Sequence, residues 1–359
     1  MRTRIMRVSR STGLETERVN AILVDGSITR NQDTRVTETA SLTLEGDADF
    51  GADLLRIWAD VTYTDGTRES IPLGTFLPDG AKREIDGGEA VTIPLNLYGR
   101  LRELDDDQFQ YPVMLETGTN PMDWIETVIH EAGLEIAPHA ECVYRLGAPW
   151  TFGTGESRDE SKLSAINDLL ALAGWNSART DPYGRVLLTP YEPPDRRAPS
   201  WDFTEGANAR FLRSMTDERD WFDTANQVRV VYSTQERDVI GIAVDDDPAS
   251  AFSTVTRGRV IGKTYTYSDI PDGLADADLQ KMADAKALEL LATTQSVIRR
   301  VVFTHIWAPV GLGDVVNLQY PTGKVDGRFA VRTQKITLTG GLPIEAEARS
   351  FERSTVHEQ

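Results

Sequence analysis

Residues 157–191, SRDESKLSAINDLLALAGWNSARTDPYGRVLLTPY, decide how the rest of the chain is read. Leu163, Ile166, Leu169, Leu170 and Ala173 recur at the spacing that aligns apolar side chains on one side of a 3.6-residue helix. Ser157 and Glu160 stand in the S-x-x-E relation, in which hydroxyl and carboxylate satisfy the free N–H groups of a helix start. Gly174 supplies the left-handed residue that stops the helix. A hairpin follows: residues 175–179, a turn at Asp181-Pro182-Tyr183-Gly184, then residues 186–189 and Pro190-Tyr191. The stretch is a helix packed on a small sheet, and both of its flanks read as β.

The chain has 359 residues, enough for two or three domains. Hydrophobic residues make up 40% and charged residues 26%, an ordinary globular balance, and no apolar run is long enough to span a bilayer. Residues 1–10 carry arginines with no apolar segment behind them, so no secretory signal is expected. The lone Cys142 cannot form an internal disulfide, which excludes a disulfide scaffold and fits a reducing compartment. A formal net charge of −18 disfavours adhesion to nucleic-acid phosphates, though it suits solubility and would suit a wall that DNA must slide past.

Before residue 105 the chain alternates between strand patterns and turn signals. Residues 18–24 read as a strand, Asp25-Gly26 as a hairpin turn, and residues 41–44 as a strand with Leu42 and Leu44 inward. Residues 57–64 and 68–76 flank Asp65-Gly66, and residues 83–95 fold over Asp86-Gly87-Gly88. Short strands joined by tight turns indicate a sandwich or barrel. Asp105-Asp106-Asp107 lacks the alternating ligand spacing of a Ca²⁺ loop and reads as a solvated linker. Residues 120–133 form a helix opened by Pro121, with Ile125, Val128, Ile129 and Ala132 as its stripe. This helix and the later one both end in Ala-Gly before an extended segment, a cadence open to two readings, a duplicated helix-strand unit or, favoured, the ordinary use of glycine as a helix stop.

Beyond Tyr191, the Pro-rich stretch from Glu192 to Pro199 marks a boundary. Residues 225–233 read as a strand, and residues 276–293 as a helix with Leu279, Met282, Ala283, Ala287, Leu290 and Leu291 on one face. Four strands close the chain: residues 297–306, 314–320, 328–338 and 344–351. The domain plan is therefore residues 1–104, 105–194 and 195–359, an α+β chain that is mainly β.

The search for chemistry is mostly negative. Gly153-Thr154-Gly155 precedes a helix, but no Lys-Ser/Thr pair follows and Glu156 would repel a phosphate, so it reads as a turn. His130-Glu131 begins like a zinc-protease helix, yet Leu134 stands where the second histidine belongs. His130, His139, His305 and His357 are scattered, and no G-x-S-x-G elbow is present. An acidic chain always offers carboxylate pairs, so a wall hydrolase stays open as a reading, with no pair singled out. Trp124, Trp150, Trp175, Trp201, Trp221 and Trp307 offer material for a sugar-stacking platform, but a tryptophan flanked by apolar neighbours at an element end is more often core or subunit interface. Trp201 and Trp221 have charged neighbours, Asp202, Arg219 and Asp220, and are the candidate interface residues. No catalytic residue, cofactor or metal is expected.

Three passages carry a resemblance to a known family. The first is Ile71-Pro72-Leu73-Gly74-Thr75-Phe76-Leu77-Pro78 with the following residues 91–101. The second runs from Trp150 through Gly155-Glu156-Ser157, Ala165-Ile166-Asn167-Asp168-Leu169-Leu170 and Ala173-Gly174-Trp175 to Pro190-Tyr191. The third is the last helix with Gly313-Asp314-Val315-Val316 and Phe329-Ala330-Val331. In these the chain resembles the tail hub, or tail-tip minor tail, proteins of long-tailed phages that infect actinobacteria.

The resemblance implies a structural role without an enzyme activity. It implies two β-barrel-like domains related to tail-tube subunits, with the small α/β domain between them. Three copies would form a ring that closes the tail tube, adapts its six-fold symmetry to a three-fold tip and lets DNA pass. The implied partners are further copies of the chain, the distal tail protein or tube above, a fibre, spike or other minor tail protein below, and the tape measure protein. The implied place is the tail tip of the virion, assembled in the host cytoplasm. Some relatives carry C-terminal enzyme or host-binding modules; here the chain stops soon after its last strand, so such functions are expected in other proteins. Two alternatives remain: a hexameric distal tail ring protein, or a carbohydrate-binding minor tail protein at the host surface.

Overall fold

Strand Glu38–Glu45 reads ETASLTLE, and Glu38, Ala40, Leu42 and Leu44 are buried while the residues between them lie toward solvent. The structure, a computed structural model, describes residues 2–46, 50–63, 65–80, 84–86, 90–153, 161–194, 196–219, 224–233, 238–250, 252–267, 276–295 and 297–352. These fall into two compact units that interleave in sequence: Met1–Ser214 with Phe303–Glu347, and Met215–Val302 with Ala348–Gln359. The reason is that strand Val325–Thr337 pairs antiparallel with strand Ile22–Asn31, matching Thr333 to Asn31 and Thr337 to Ser27.

From Ile22–Asn31 the hydrogen-bonded path of the first unit continues through Glu38–Glu45, Ala90–Gly99, Arg68–Pro78, Leu54–Thr62 and Arg2–Val8 to Glu15–Arg18. Ala90–Gly99 pairs along most of its length with Glu38–Glu45, then meets Arg68–Pro78 only through Leu97, Tyr98 and Gly99. Among the described residues the path stays open, ending on the short charged strand Glu15–Arg18. The expectation of closed barrels is corrected accordingly, because alternation reports that one face is buried and is silent on whether the path closes. The inward residues form one core that includes Ile28, Leu42, Leu44, Leu55, Ile57, Phe76, Leu95 and Ile344.

The expected turn at Asp25-Gly26 is also corrected. Both residues lie within strand Ile22–Asn31, where the register slips between Leu23 and Asp25. A Cβ on Gly26 would come within 2.8 Å of Leu42 Cδ2, so glycine serves close packing here. The chain reverses instead at residues 31–37, where Asn31 N–H donates to the Thr37 carbonyl at 2.8 Å and Asn31 Oδ1 accepts from Asp33 N–H at 2.9 Å. The expected reversal at Gly66 is present, with φ of +88°, between Leu54–Thr62 and Arg68–Pro78.

In the helical part of this unit, Pro121–Glu131 is capped by Asn120, whose side chain accepts from Met122 N–H at 3.2 Å. Helix Lys162–Leu172 is capped by Ser161, which accepts from Ser164 N–H at 3.2 Å, a later start than the one expected at Ser157. Ser157 and Glu160 lie outside the described residues. Ile125, Val128 and Ile129 of the first helix share a core with Leu163, Ile166, Leu169 and Leu170 of the second. The aspartate run is not simply solvated: helix Leu101–Asp106 contains Asp105 and Asp106, and Asp107 pairs with Lys162 at 2.7 Å.

The second unit contains a three-stranded sheet in the order Asp238–Val244, Gln227–Ser233, Gly262–Tyr267. Helix Asp276–Thr294 supplies Leu279, Ala283, Ala287 and Leu291 to a core with Val228, Val230, Tyr232 and Ala243. Met282, expected on that face, is 37% exposed. Asn226 is fully buried; its amide nitrogen donates to the carbonyls of Phe252 and Arg259 at 3.1 and 2.9 Å, and its oxygen accepts from Ile261 N–H at 2.7 Å.

Candidate interaction site

Polar chemistry in the first unit concentrates where the hairpin of strands Arg179–Thr180 and Val186–Leu187 meets the large sheet. Asp181 builds the tip: its Oδ1 accepts from Tyr183 N–H and Arg185 N–H, each at 2.9 Å, and its Oδ2 accepts from Arg185 Nε at 2.7 Å. Gly184 completes the turn at φ of +83°.

Three buried charged residues of the sheet receive this tip: Arg30 and Glu38 from its core-facing side and Arg56 from the opposite face. Arg30 and Glu38 form an ion pair at 3.0 Å, and Arg30 Nη2 donates to the Leu73 carbonyl at 2.6 Å. Thr180 Oγ1 donates to Glu38 at 3.0 Å. Burial pushes the Glu38 carboxyl above the usual carboxylate range, against the pull of Arg30 and of the Thr180 hydrogen bond. Arg56 donates to Thr75 Oγ1 at 2.8 Å and to the Tyr183 carbonyl at 3.1 Å, and pairs with Glu15 at 3.2 Å. Thr75 Oγ1 in turn donates to the Pro182 carbonyl at 2.9 Å. The guanidinium groups of Arg56 and Arg185 lie over the Tyr183 ring, 5.2 and 5.8 Å from its centroid, and the ring meets Trp58 edge-on at 6.2 Å. A cleft of about 470 Å³ opens beside this seam, lined by Arg10, Arg56, Arg100, Arg185, Glu135 and Tyr183. These four arginines are engaged by Glu103, Glu15 and Asp181.

Trp58 was not among the tryptophans marked by sequence. It sits within a strand pattern, and its role depends on Glu15, which accepts from its Nε1 at 2.7 Å. Trp124 and Trp150 lie edge-on at 5.9 Å, Trp150 stacks on Phe152 at 5.7 Å, and Trp150 Nε1 donates to Asp168 at 2.6 Å. Trp201 is half-buried, because strand Trp201–Thr204 pairs parallel with Val315–Tyr320. The Arg210 guanidinium covers its ring at 5.5 Å, and the exposed Leu212 and Ile306 lie on the strand that carries Arg210 onward and on the segment whose Ile306 N–H donates to the Arg210 carbonyl at 3.0 Å. Trp221 and His357 lie outside the described residues. The structure does not gather the remaining histidines: His130 is on a helix surface, His139 pairs with Glu126 at 3.3 Å, and His305 packs against Phe203 and Phe303. Among the described residues no three His, Cys, Asp or Glu side chains are grouped as metal ligands would be. Among the same residues no helix is long and apolar enough to cross a membrane.

This architecture has known counterparts. No protein-family profile matches the chain, and no curated protein matches it by sequence. Among solved structures, a tail protein from Neisseria meningitidis aligns with a TM-score of 0.63 at 13% identity, over 98% of this chain and 97% of that one. The 43 kDa tail protein of prophage MuSo2 from Shewanella oneidensis aligns with a TM-score of 0.64 at 9% identity, over 97% and 96% of the two chains. An Escherichia coli type VI secretion component, described as structurally similar to the T4 bacteriophage tail proteins gp27 and gp5, aligns with a TM-score of 0.50 at 9% identity, over 99% and 78%. The chain therefore shares the fold of these phage tail proteins and of the type VI secretion component.

Proposed function

We propose that this protein is a structural, non-enzymatic component of a phage tail, acting as the hub of the tail tip. The observation that carries the reading is end-to-end correspondence with tail proteins, 98% of this chain against 97% of the Neisseria protein. In the finer form of the reading, two tube-like β domains bracket the helix-and-hairpin insert, and three copies close a ring. That ring matches the six-fold tube above to a three-fold tip below, and DNA leaves through it. A net charge of −18 gives such a lumen a wall that repels DNA phosphates instead of retaining them. Trp201 and Trp221 lie at contacts with neighbouring copies, and the distal tail protein, tape measure protein and a fibre or spike are the other neighbours. The ion-paired seam around Asp181–Gly184 holds the insert in place on the sheet within each copy.

The test is the position and number of this chain in an imaged tail. Three copies around the axis at the tip are expected. Six copies would replace the hub with a distal ring protein, and copies off the axis that bind saccharide would replace it with a host-surface binding protein.

A further inference from the structure

Arg10, Arg100 and Arg185 line the cleft of about 470 Å³ and keep guanidinium donors that no described group uses. Arg56 beside them is engaged by Thr75, Glu15 and the Tyr183 carbonyl. Arg10 and Arg100 share one carboxylate, Glu103, at 2.5 and 2.8 Å, and Arg100 Nη2 also donates to the Gly133 carbonyl at 3.4 Å. Arg185 directs Nε and Nη2 to a single oxygen, Asp181 Oδ2, each at 2.7 Å. Nη1 of Arg100 and Nη1 of Arg185 have no partner among the described residues, and neither is a buried orphan, so both reach solvent. The Arg10 and Arg185 side chains are 43% and 40% exposed.

Glu103, Glu15 and Asp181, the counter-ions of these arginines, do not line the cleft; among the described residues Glu135 is the one carboxylate that does. Glu135 is exposed and makes no ion pair with any described residue. Counted together, these four carboxylates balance the four arginines, so the attraction is local: unfilled N–H groups line the cleft and most counter-charges lie outside its lining. A lone oxyanion gains little there, because each guanidinium already has a counter-ion and water screens the exposed ones. Several carboxylates on one chain gain from all three arginines at once. Leu14, 68% exposed, lines the same cleft and offers an apolar contact that an inorganic anion cannot use. Its loop runs on into strand Glu15–Arg18, where the hydrogen-bonded path ends and no described strand pairs with the outer edge. An extended polypeptide finds unpaired backbone donors and acceptors along such an edge.

We propose that this cleft is the docking site of an acidic segment of a partner polypeptide, whose side-chain carboxylates accept from Arg10, Arg100 and Arg185 and whose apolar residue covers Leu14. The site does not depend on the hub reading.

The full chain is titrated calorimetrically with a peptide of glutamates around a central leucine, and separately with the same peptide carrying glutamine in place of glutamate. Saturable binding of one equivalent of the acidic peptide is expected, weakening as salt is raised, with no binding of the glutamine peptide. Arg10→Gln and Arg185→Gln should each weaken it about fivefold and Leu14→Asn about threefold, while exposed Arg213→Gln leaves it unchanged. Glu135→Gln should tighten it about threefold, a gain that a purely structural role of the cleft would not produce. Arg10→Gln leaves Glu103 paired with Arg100, so this variant reads the site even if Arg185→Gln fails to fold. Absence of saturable binding to the wild type overturns the proposal, as does binding that Arg10→Gln and Leu14→Asn leave intact. Displacement of the peptide by sodium phosphate beyond that by sodium chloride at equal ionic strength assigns a free anion and overturns it too. Self-association that Arg10→Gln abolishes, with no binding of the peptide, gives the cleft to a second copy, with the same result.

Discussion

Arg30 and Glu38 stand directly opposite one another on adjacent strands, both buried on the inward face, with their charged groups 3.0 Å apart. Inward positions of a sheet normally hold apolar side chains, and a charge there is tolerated only when paired. Here the pair does more than compensate itself. Glu38 also accepts from Thr180 of the hairpin, so the ion pair on the sheet is tied to the insert packed on it.

Breaking this pair from one side should cost more than removing both sides. Glu38→Ala leaves Arg30 buried without its counter-ion and is expected to destabilise by about 3–5 kcal/mol. Arg30→Met combined with Glu38→Ala should cost less than either single change. Urea unfolding of the three variants measures this as a double-mutant cycle, and additive effects would show that the pair is not coupled.

His305 should make the protein sensitive to acid. Its Nδ1–H donates to the Ile306 carbonyl at 2.7 Å, and its ring lies 4.8 Å from that of Phe203. Burial holds its pKa below the ordinary 6.5, so the native ring stays neutral while the unfolded chain takes up a proton. The unfolded state then binds more protons below that value, and stability falls as pH drops through about 6.5. The limit is about 1.4 kcal/mol per pH unit. Melting curves between about pH 7.5 and about pH 5 should show a steeper loss for the wild type than for His305→Gln. Equal slopes would remove His305 from the account.

Gly241 cannot be enlarged. A Cβ at this position would lie 2.2 Å from the Ala283 carbonyl carbon and 2.3 Å from its oxygen, both in the backbone of helix Asp276–Thr294. Backbone cannot rotate aside, so Gly241→Ala should destabilise the second unit by about 1–3 kcal/mol. A circular dichroism melt decides it, and an unchanged midpoint would mean that the helix does not rest on this strand.

Tyr183 should act as the peg of the hairpin tip. Tyr183→Ala removes two cation–π contacts and the edge-on contact with Trp58, worth about 1–2 kcal/mol together. Cleavage by a protease of low specificity should increase at residues 180–186 in the variant. Protection equal to the wild type would place the anchoring in the Thr75 and Arg56 hydrogen bonds instead.

The hub reading makes a separate prediction about Trp201. Arg210→Glu replaces the cation over its ring with an anion while changing little of the core. If this patch contacts a neighbouring copy, the variant should assemble into tails at least about tenfold less well, with a melting temperature within a few degrees of wild type. Normal incorporation into tails would remove Trp201 from the interface.

Much of the secondary structure is legible in the chain itself. Helix Pro121–Glu131 follows from a stripe of Ile125, Val128 and Ile129, an asparagine cap and a proline at the first turn, all within a few residues of one another. The last four strands and the reversal at Gly66 are read in the same way. Even the seam leaves a trace, because alternation along Glu38–Glu45 puts a glutamate on the same side as Ala40, Leu42 and Leu44. Periodicity and capping are energies between near neighbours, so a sequence displays them directly. Pairing between Val325–Thr337 and Ile22–Asn31, the use of Asp25-Gly26 inside a strand, and the meeting of Glu38 with Thr180 join segments far apart in the chain. Their energies depend on register and on which faces are buried together, and only the tertiary structure decides those.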